Sequence, residues 1–223
     1  MQRDVYTHGH QPAVVDQHAR RTVETSAAFL LPHLNDSMRI LDVGCGPGSI
    51  TAGLARWVPD GEVVGIEVVP GVLETARRHC AEAGTDNVTF REASVYDLPF
   101  DGGSFDVVYA HQVLQHLTDP VAALCEMRRV VRHGGLVAVR DSDYYTMSWT
   151  PESPLMDRWR DLYRRVARHN GAEPDAGRHL YRWLKTTGFT EITMSASCQV
   201  MADEESRRNW GESWAERCLT TDF

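Results

Sequence analysis

Ile40-Leu41-Asp42-Val43-Gly44-Cys45-Gly46-Pro47-Gly48-Ser49 is an apolar run that enters three glycines at alternate positions and then opens into a helix. Glycine at 44, 46 and 48 removes the side chains that would hold a ligand off the backbone, and admits dihedrals that a Cβ forbids. Pro47 and Ser49 stand where the helix begins, so unpaired amides and the positive helix end would favour a carboxylate or a phosphate there. The next apolar run, Val63-Val64-Gly65-Ile66, ends in Glu67. That is roughly the 20-residue offset at which a carboxylate on the second strand reaches a ribose. Together the two segments predict a nucleotide-type cofactor site.

Outward from this turn, strands and helices alternate. The pattern predicts strands over 39–43, 62–67, 88–92, 105–110 and 135–141, and helices over 48–58, 70–83 and 118–132. Apolar stripes at Ile50, Leu54 and Val58, and at Leu73, Ala76, Cys80 and Ala83, would cover the sheet. The expected architecture is α/β: a doubly wound Rossmann-like sheet, mostly parallel, with helices on both faces. Ahead of it, Val23, Ala27, Leu30 and Leu31 recur at helical spacing. Behind it, a helix with Leu155, Trp159, Leu162 and Val166 inward, a second helix near 176–187, a strand over 190–200 and a last helix carrying Trp210, Trp214 and Cys218 are expected. The organisation reads as a cap over 1–37, a core over 38–141, a helical insertion over 142–187 and a late strand and helix over 188–223, all in one structural domain.

The chain has 223 residues, 42% of them hydrophobic, and a formal net charge of −8. That length suffices for one domain with a sizeable core. The acidic balance argues against a nucleic-acid partner, which needs a basic face; Arg128, Arg129 and Arg132 read as the solvated face of one helix. The five cysteines, Cys45, Cys80, Cys125, Cys198 and Cys218, show no paired spacing and suggest a reducing cytoplasm. No apolar run approaches the roughly 20 residues of a membrane span, and the polar start does not mark the chain for export. Tyr6, His8 and His10 fit either an irregular tail or a lid, and no metal site is expected from them.

The dinucleotide fingerprint requires a Gly or Ala five residues after its first glycine, and Ser49 stands there. This weighs against an NAD-dependent oxidoreductase. Asp42 followed by glycines at 44, 46 and 48 instead resembles the first motif of class I S-adenosylmethionine-dependent methyltransferases, acidic-x-Gly-x-Gly-x-Gly. Their small-molecule branch, which includes the ubiquinone and menaquinone C-methyltransferases, is the one it is similar to. The resemblance runs in order along 38–141. Val88 to Phe100, with its Leu98-Pro99-Phe100 ending, looks like the segment that places the adenine; Ser94 stands where relatives carry Asp, so its contact would be uncharged. Ser104 to Leu117 resembles the fourth strand and the turn below the sulfonium. Glu126 to Leu136 resembles the helix and Gly-Gly turn before the fifth strand, with His133 in place of the usual Pro.

The resemblance implies S-adenosyl-L-methionine as cofactor, held by Asp42, Gly44, Cys45, Gly46, Glu67, Ser94, Val95 and His111, and the N-terminal region as its cap. It also implies a closing antiparallel hairpin. One strand is legible after residue 188, so the sequence is read as lacking its final strand. The expected function is methylation of a small-molecule acceptor at O, N or C, a secondary metabolite or quinone-like aromatic, with a non-catalytic binder of the cofactor as the alternative. For an oxygen or nitrogen acceptor a base is expected at the carboxyl ends of the fourth and fifth strands, where His111, Asp141 and Asp143 qualify. Tyr144, Tyr145 and Trp149 fit an acceptor wall or ordinary loop packing. Cys45 is not expected to be a nucleophile and His116 is expected to pack. A homodimer is compatible with exposed tryptophans on the last helix.

Overall fold

In a computed structural model, residues 4–7 and 12–220 are described; His8 and His10 lie outside them. The elements are α1 (Pro12–Ala19), α2 (Val23–Ser26), β1 (Arg39–Val43), α3 (Ser49–Trp57), β2 (Glu62–Glu67), α4 (Pro70–Glu82), β3 (Val88–Glu92), β4 (Phe105–His111), α5 (Pro120–Val130), β5 (Val131–Arg140), α6 (Pro154–His169), α7 (Leu180–Thr186) and α8 (Glu204–Thr220). No described helix is long and apolar enough to cross a membrane.

The chain divides into two compact units. The first, residues 18–113 and 121–140, holds a five-stranded sheet in the order β3-β2-β1-β4-β5 with every pairing parallel. Parallel crossovers are right-handed. The chain moves one way through β1, β2 and β3 and the other way from β4 to β5, so α3 and α4 lie on one face and α5 on the other. The reversal between β1 and β4 is the switch point at which open α/β sheets bind ligands. Strand alternation sends Ile40, Val63, Val107 and Tyr109 into a core with Val23, Ala27 and Leu30 and with Ile50, Leu54 and Val58 of α3. Leu41, Val64 and Val108 are buried on the opposite alternation, and Ala123, Leu124, Met127 and Val130 form the buried stripe of α5.

The second unit comprises the residues before 18, residues 114–120 and those from 141 onward. Its core is aromatic: Tyr144, Tyr163 and Trp214, with Trp159, Trp210 and Met147 packed against them. Trp159 and Trp214 meet edge to face with centroids 4.7 Å apart, and Tyr163 meets Trp214 at 5.0 Å in the same way. Asp175, 1% exposed, ties this unit internally. Arg164 and Arg168 donate to its Oδ2 at 2.7 and 2.6 Å, and the Tyr145 amide donates to its Oδ1 at 2.9 Å. Burial opposes the charge, but the hydrogen bonds from the two arginines prevail and hold its carboxyl below the usual range.

Three sequence expectations are corrected. The segment around Val23 to Leu31 is not one helix: a Thr22–Thr25 capping box starts α2, which stops at Ser26, and Pro32 sits in a separate 3-10 turn over Leu31–His33. Pro lacks the amide a continuing helix would use. On α6, Leu155 and Leu162 are 78% and 45% exposed, and the inward residues are Trp159, Tyr163 and Ala167. The larger aromatic surfaces set the helix phase against the leucines. The expected strand over 190–200 is extended but carries no ladder, and residues 193–200 are exposed. Its alternation of Ile192, Met194, Ala196, Cys198 and Val200 is that of a strand. A strand needs a neighbour to complete its hydrogen bonds, and none pairs with it among the described residues.

Candidate functional site

The glycine turn lies at the carboxyl end of β1. Gly44 has φ +66°, and a Cβ built on it would come within 2.6 Å of Val113 Cγ2, so the turn is pressed against the segment after β4. Gly46 has φ +53° and its missing Cβ would meet nothing within 4 Å. One glycine is there for packing and the other faces open space that a ligand can approach. The Cys45 amide donates to the Ile66 carbonyl at 3.0 Å, which ties the turn to β2, and the Gly48 amide donates to the Cys45 carbonyl at 3.1 Å, which closes the turn on itself. The Cys45 side chain is buried, and burial first, then the charges of Asp42 and Glu67, push its thiol well above the usual range. It is no nucleophile.

Asp42 is 2% exposed and sits between Gly65 and Tyr109 in the sheet register. Its Oδ2 accepts from the Thr51 hydroxyl at 2.6 Å. Burial pushes its pKa up to about 7, the Thr51 hydrogen bond pulls it down, and the Glu67 charge raises it again. Thr51, fully buried on α3, was not singled out in the sequence; a threonine on a helix carries no signal of the carboxylate it serves. Glu67 ends β2, half-buried, with its Oε1 accepting from the Val68 amide at 2.8 Å. Ser94 is exposed and bridges to Asp97, its hydroxyl accepting from the Tyr96 amide at 3.3 Å, while Val95 beside it is buried.

His111 ends β4 and is 8% exposed, its ring stacked on Tyr109. Burial, then the charges of Arg21 and Arg140, lower its pKa to about 2 against the pull of the Ser26 carbonyl, so the ring is neutral. Its Nδ1 is buried with no hydrogen-bond partner among the described residues. The next residue, Gln112, has φ +55°, a strained conformation for a side chain of its kind. Its amide donates to the Arg140 carbonyl at 2.7 Å, and its Oε1 accepts from Arg21 at 2.5 Å.

The remaining candidates belong to the second unit. Asp141 Oδ1 accepts from the Gln115 amide at 3.0 Å, and Oδ2 is buried with no partner among the described residues. Burial raises its pKa to about 7, against that hydrogen bond. Gln115 also bonds the Ser142 amide and His116, on which Tyr6 rests edge to face. Asp143 is held by Arg178 through two contacts of 2.8 Å. Tyr144 lies in the aromatic core. Tyr145 is 56% exposed between the guanidiniums of Arg164 and Arg178, and Trp149 lies under Arg160. The three aromatics thus have three different settings.

Residues 34–188 match the family described as methyltransferase domain. An uncharacterised methyltransferase of Schizosaccharomyces pombe is 38% identical over 222 residues, covering 96% of this chain and 80% of that protein. A demethylmenaquinone methyltransferase of Clavibacter sepedonicus is 31% identical over 172 residues, 77% of this chain and 62% of that protein. The solved structure of an S-adenosylmethionine-dependent methyltransferase from Aquifex aeolicus aligns with a TM-score of 0.61 over 81% of this chain and 89% of that one, at 19% identity.

Proposed function

The chain belongs to the class I S-adenosylmethionine-dependent methyltransferases, and on that premise we propose that the turn after β1 holds the cofactor while a small-molecule acceptor is methylated beside it. The observation that carries this is the open backbone at Gly46, placed at the sheet's switch point with Glu67 ending the neighbouring strand. In this reading Glu67 accepts the ribose hydroxyls and the backbone of Gly44, Cys45 and Gly46 lies under the ligand. Ser94 and Val95 border the adenine, and His111 is a neutral wall. When bound, S-adenosylmethionine supplies a methyl group on a positively charged sulfur.

Positioning supplies most of the rate in such a transfer, on the order of 7–11 kcal/mol for near-attack geometry. What remains is a proton to remove from an oxygen or nitrogen acceptor. Asp141 suits that task better than the other candidates, since a group titrating near neutrality with an uncommitted oxygen is matched to general-base work. Asp143 is committed to Arg178, and His111 holds a proton too weakly. An aromatic or quinone-like acceptor is supported by the relative named for demethylmenaquinone.

Calorimetric titration with S-adenosylmethionine, S-adenosylhomocysteine and NAD tests the reading. The two sulfur ligands should bind and NAD should not. Glu67→Ala should remain folded and lose about tenfold or more in affinity, the worth of a charge-assisted hydrogen bond. Tight binding of NAD alone, or full affinity in Glu67→Ala, would count against it.

A further inference from the structure

Gln115 stands in the 3-10 turn Leu114–His116 of the second unit, 1% exposed. Its amide donates to Asp141 Oδ1 at 3.0 Å, and its side-chain Oε1 accepts from the amide of the next residue, Ser142, at 3.1 Å. Its carbonyl accepts from the Glu173 amide at 3.0 Å, and its Nε2 meets His116 Nε2 at 3.0 Å. The first two bonds run in opposite directions between the same two stretches of chain. Each therefore supports the other, as the two bonds of a capping box do, and together they hold the Asp141 carboxyl in one orientation. Oδ1 is committed by this clamp, and Oδ2 is the buried oxygen left over. The turn carrying Gly177 packs on the Asp141 and Ser142 carbonyls from the other side. The charged groups nearby are matched: Asp143 with Arg178, Glu173 with Arg168, and Asp175 with Arg164 and Arg168. Burial and the Gln115 amide are what remain to act on the Asp141 carboxyl.

The clamp also fixes where protons lie. A backbone amide only donates, so the Gln115 atom facing Ser142 is the oxygen and the atom facing His116 is the NH2 nitrogen. That group only donates, so His116 Nε2 accepts, and the ring in this arrangement is the neutral tautomer with its proton on Nδ1. A proton on Nε2 would set donor against donor, and turning the Gln115 amide over would only move that conflict to Ser142. His116, 9% exposed with Tyr6 edge-on to it, thus aligns Gln115 as Gln115 aligns Asp141.

We infer that Gln115 is the positioning residue of Asp141 in methyl transfer, and that His116 holds Gln115 in that role as its Nδ1–H tautomer. The carboxyl is restricted to one orientation with a single uncommitted oxygen, which is what a general base requires of its geometry. The inference rests on the base role proposed for Asp141.

NMR of the full chain tests it, with thermal melts to establish that each variant is folded. Long-range proton–nitrogen spectra of the histidine rings at pH 8, assigned with His116→Gln, should show wild-type His116 protonated at Nδ1. Carboxyl-carbon titration, assigned with Asp141→Asn, should give Asp141 a midpoint near 7 in wild type. Gln115→Met keeps the side-chain length and removes both of its polar atoms. Its midpoint should be higher, because Oδ1 loses the amide that favours the charged form. His116→Leu should raise the midpoint in the same way, whereas His116→Gln, whose oxygen still accepts from Gln115, should leave it near the wild-type value. Turnover of Gln115→Met, read as S-adenosylhomocysteine formation with an acceptor that the wild type methylates, should fall about tenfold to 10²-fold. An Asp141 midpoint that Gln115→Met leaves unmoved or lowers, a turnover it leaves unchanged, or a wild-type His116 ring protonated at Nε2 overturns the inference. If Gln115→Met does not fold, the two His116 variants decide by the same titration, and equal midpoints overturn it. Asp141→Asn that turns over at the wild-type rate is a separate result against the base role. The ring tautomer and the carboxyl midpoint then still decide whether Gln115 holds Asp141.

Discussion

At the scale of single residues, buried groups with displaced pKa values set the pH behaviour. Folded Asp42 keeps its proton up to about pH 7, whereas the unfolded carboxyl releases it near 3.8. Between those values the native state binds more protons, so this group's contribution falls as pH rises, by an upper limit on the order of 4 kcal/mol. His111 acts in the other direction: neutral when folded and protonated below about 6.5 when unfolded, it costs stability as pH falls toward 2. Comparison with Asp42→Asn isolates the first effect, because Asn can still accept from Thr51. The variant should be more stable than wild type at pH 8 by about 1 kcal/mol or more, with a smaller difference at pH 4. Denaturant titrations at the two pH values measure this. The base role proposed for Asp141 predicts a rate effect in the same pH range. Methyl transfer should rise with pH through about 7 and level off as Asp141 ionises. Asp141→Asn should abolish that rise and lower the rate by roughly 10²–10⁴-fold, measured as S-adenosylhomocysteine formation with any active acceptor.

At the scale of elements, the aromatic face of α6 predicts a sharp contrast between adjacent positions. Tyr163 is 1% exposed and packs on Tyr144 at 4.4 Å and Trp214 at 5.0 Å. Tyr163→Ala should cost about 3–5 kcal/mol, and Leu162→Ala, at an exposed position, within about 0.5 kcal/mol of nothing. Thermal or denaturant unfolding of both variants gives the comparison; equal losses would place the helix in the phase read from its leucines. That misreading shows where sequence stops being legible. Strands β1 to β4 and the helices α3 and α4 fall within a residue or two of their expected bounds, because parallel strands and amphipathic helices declare themselves in local period, whereas β5 begins at Val131, four residues before the expected start. The glycine turn and Glu67 were legible for the same reason. The phase of α6 and the fate of residues 190–200 depend on partners distant in sequence, as do Thr51 under Asp42 and Arg21 beside Gln112. No local pattern carries those.

At the scale of the whole molecule, the cofactor candidates Asp42, Gly44, Cys45, Gly46, Glu67, Ser94, Val95 and His111 all fall in the sheet-bearing unit, and Asp141, Asp143 and the aromatic residues fall in the other. The first set depends on a sheet whose pattern is local and strong, the second on aromatic packing assembled from α6, α8 and the turn at Tyr144. The extended run after Phe189 belongs to the second unit and has a practical consequence. Residues 193–200 expose side chains and backbone without a ladder, and residues 192–202 carry no charge, no Pro and no Gly. A protease needs an extended, accessible backbone in its cleft. Thermolysin, which favours bulky apolar residues, should therefore make its earliest nick between Thr190 and Ala202, at Ile192, Met194 or Val200. Trypsin should leave this run intact for want of Lys or Arg. Mass spectrometry of a brief digest reads the position directly; first cuts within β1 or α3 would mean that the run is covered in solution.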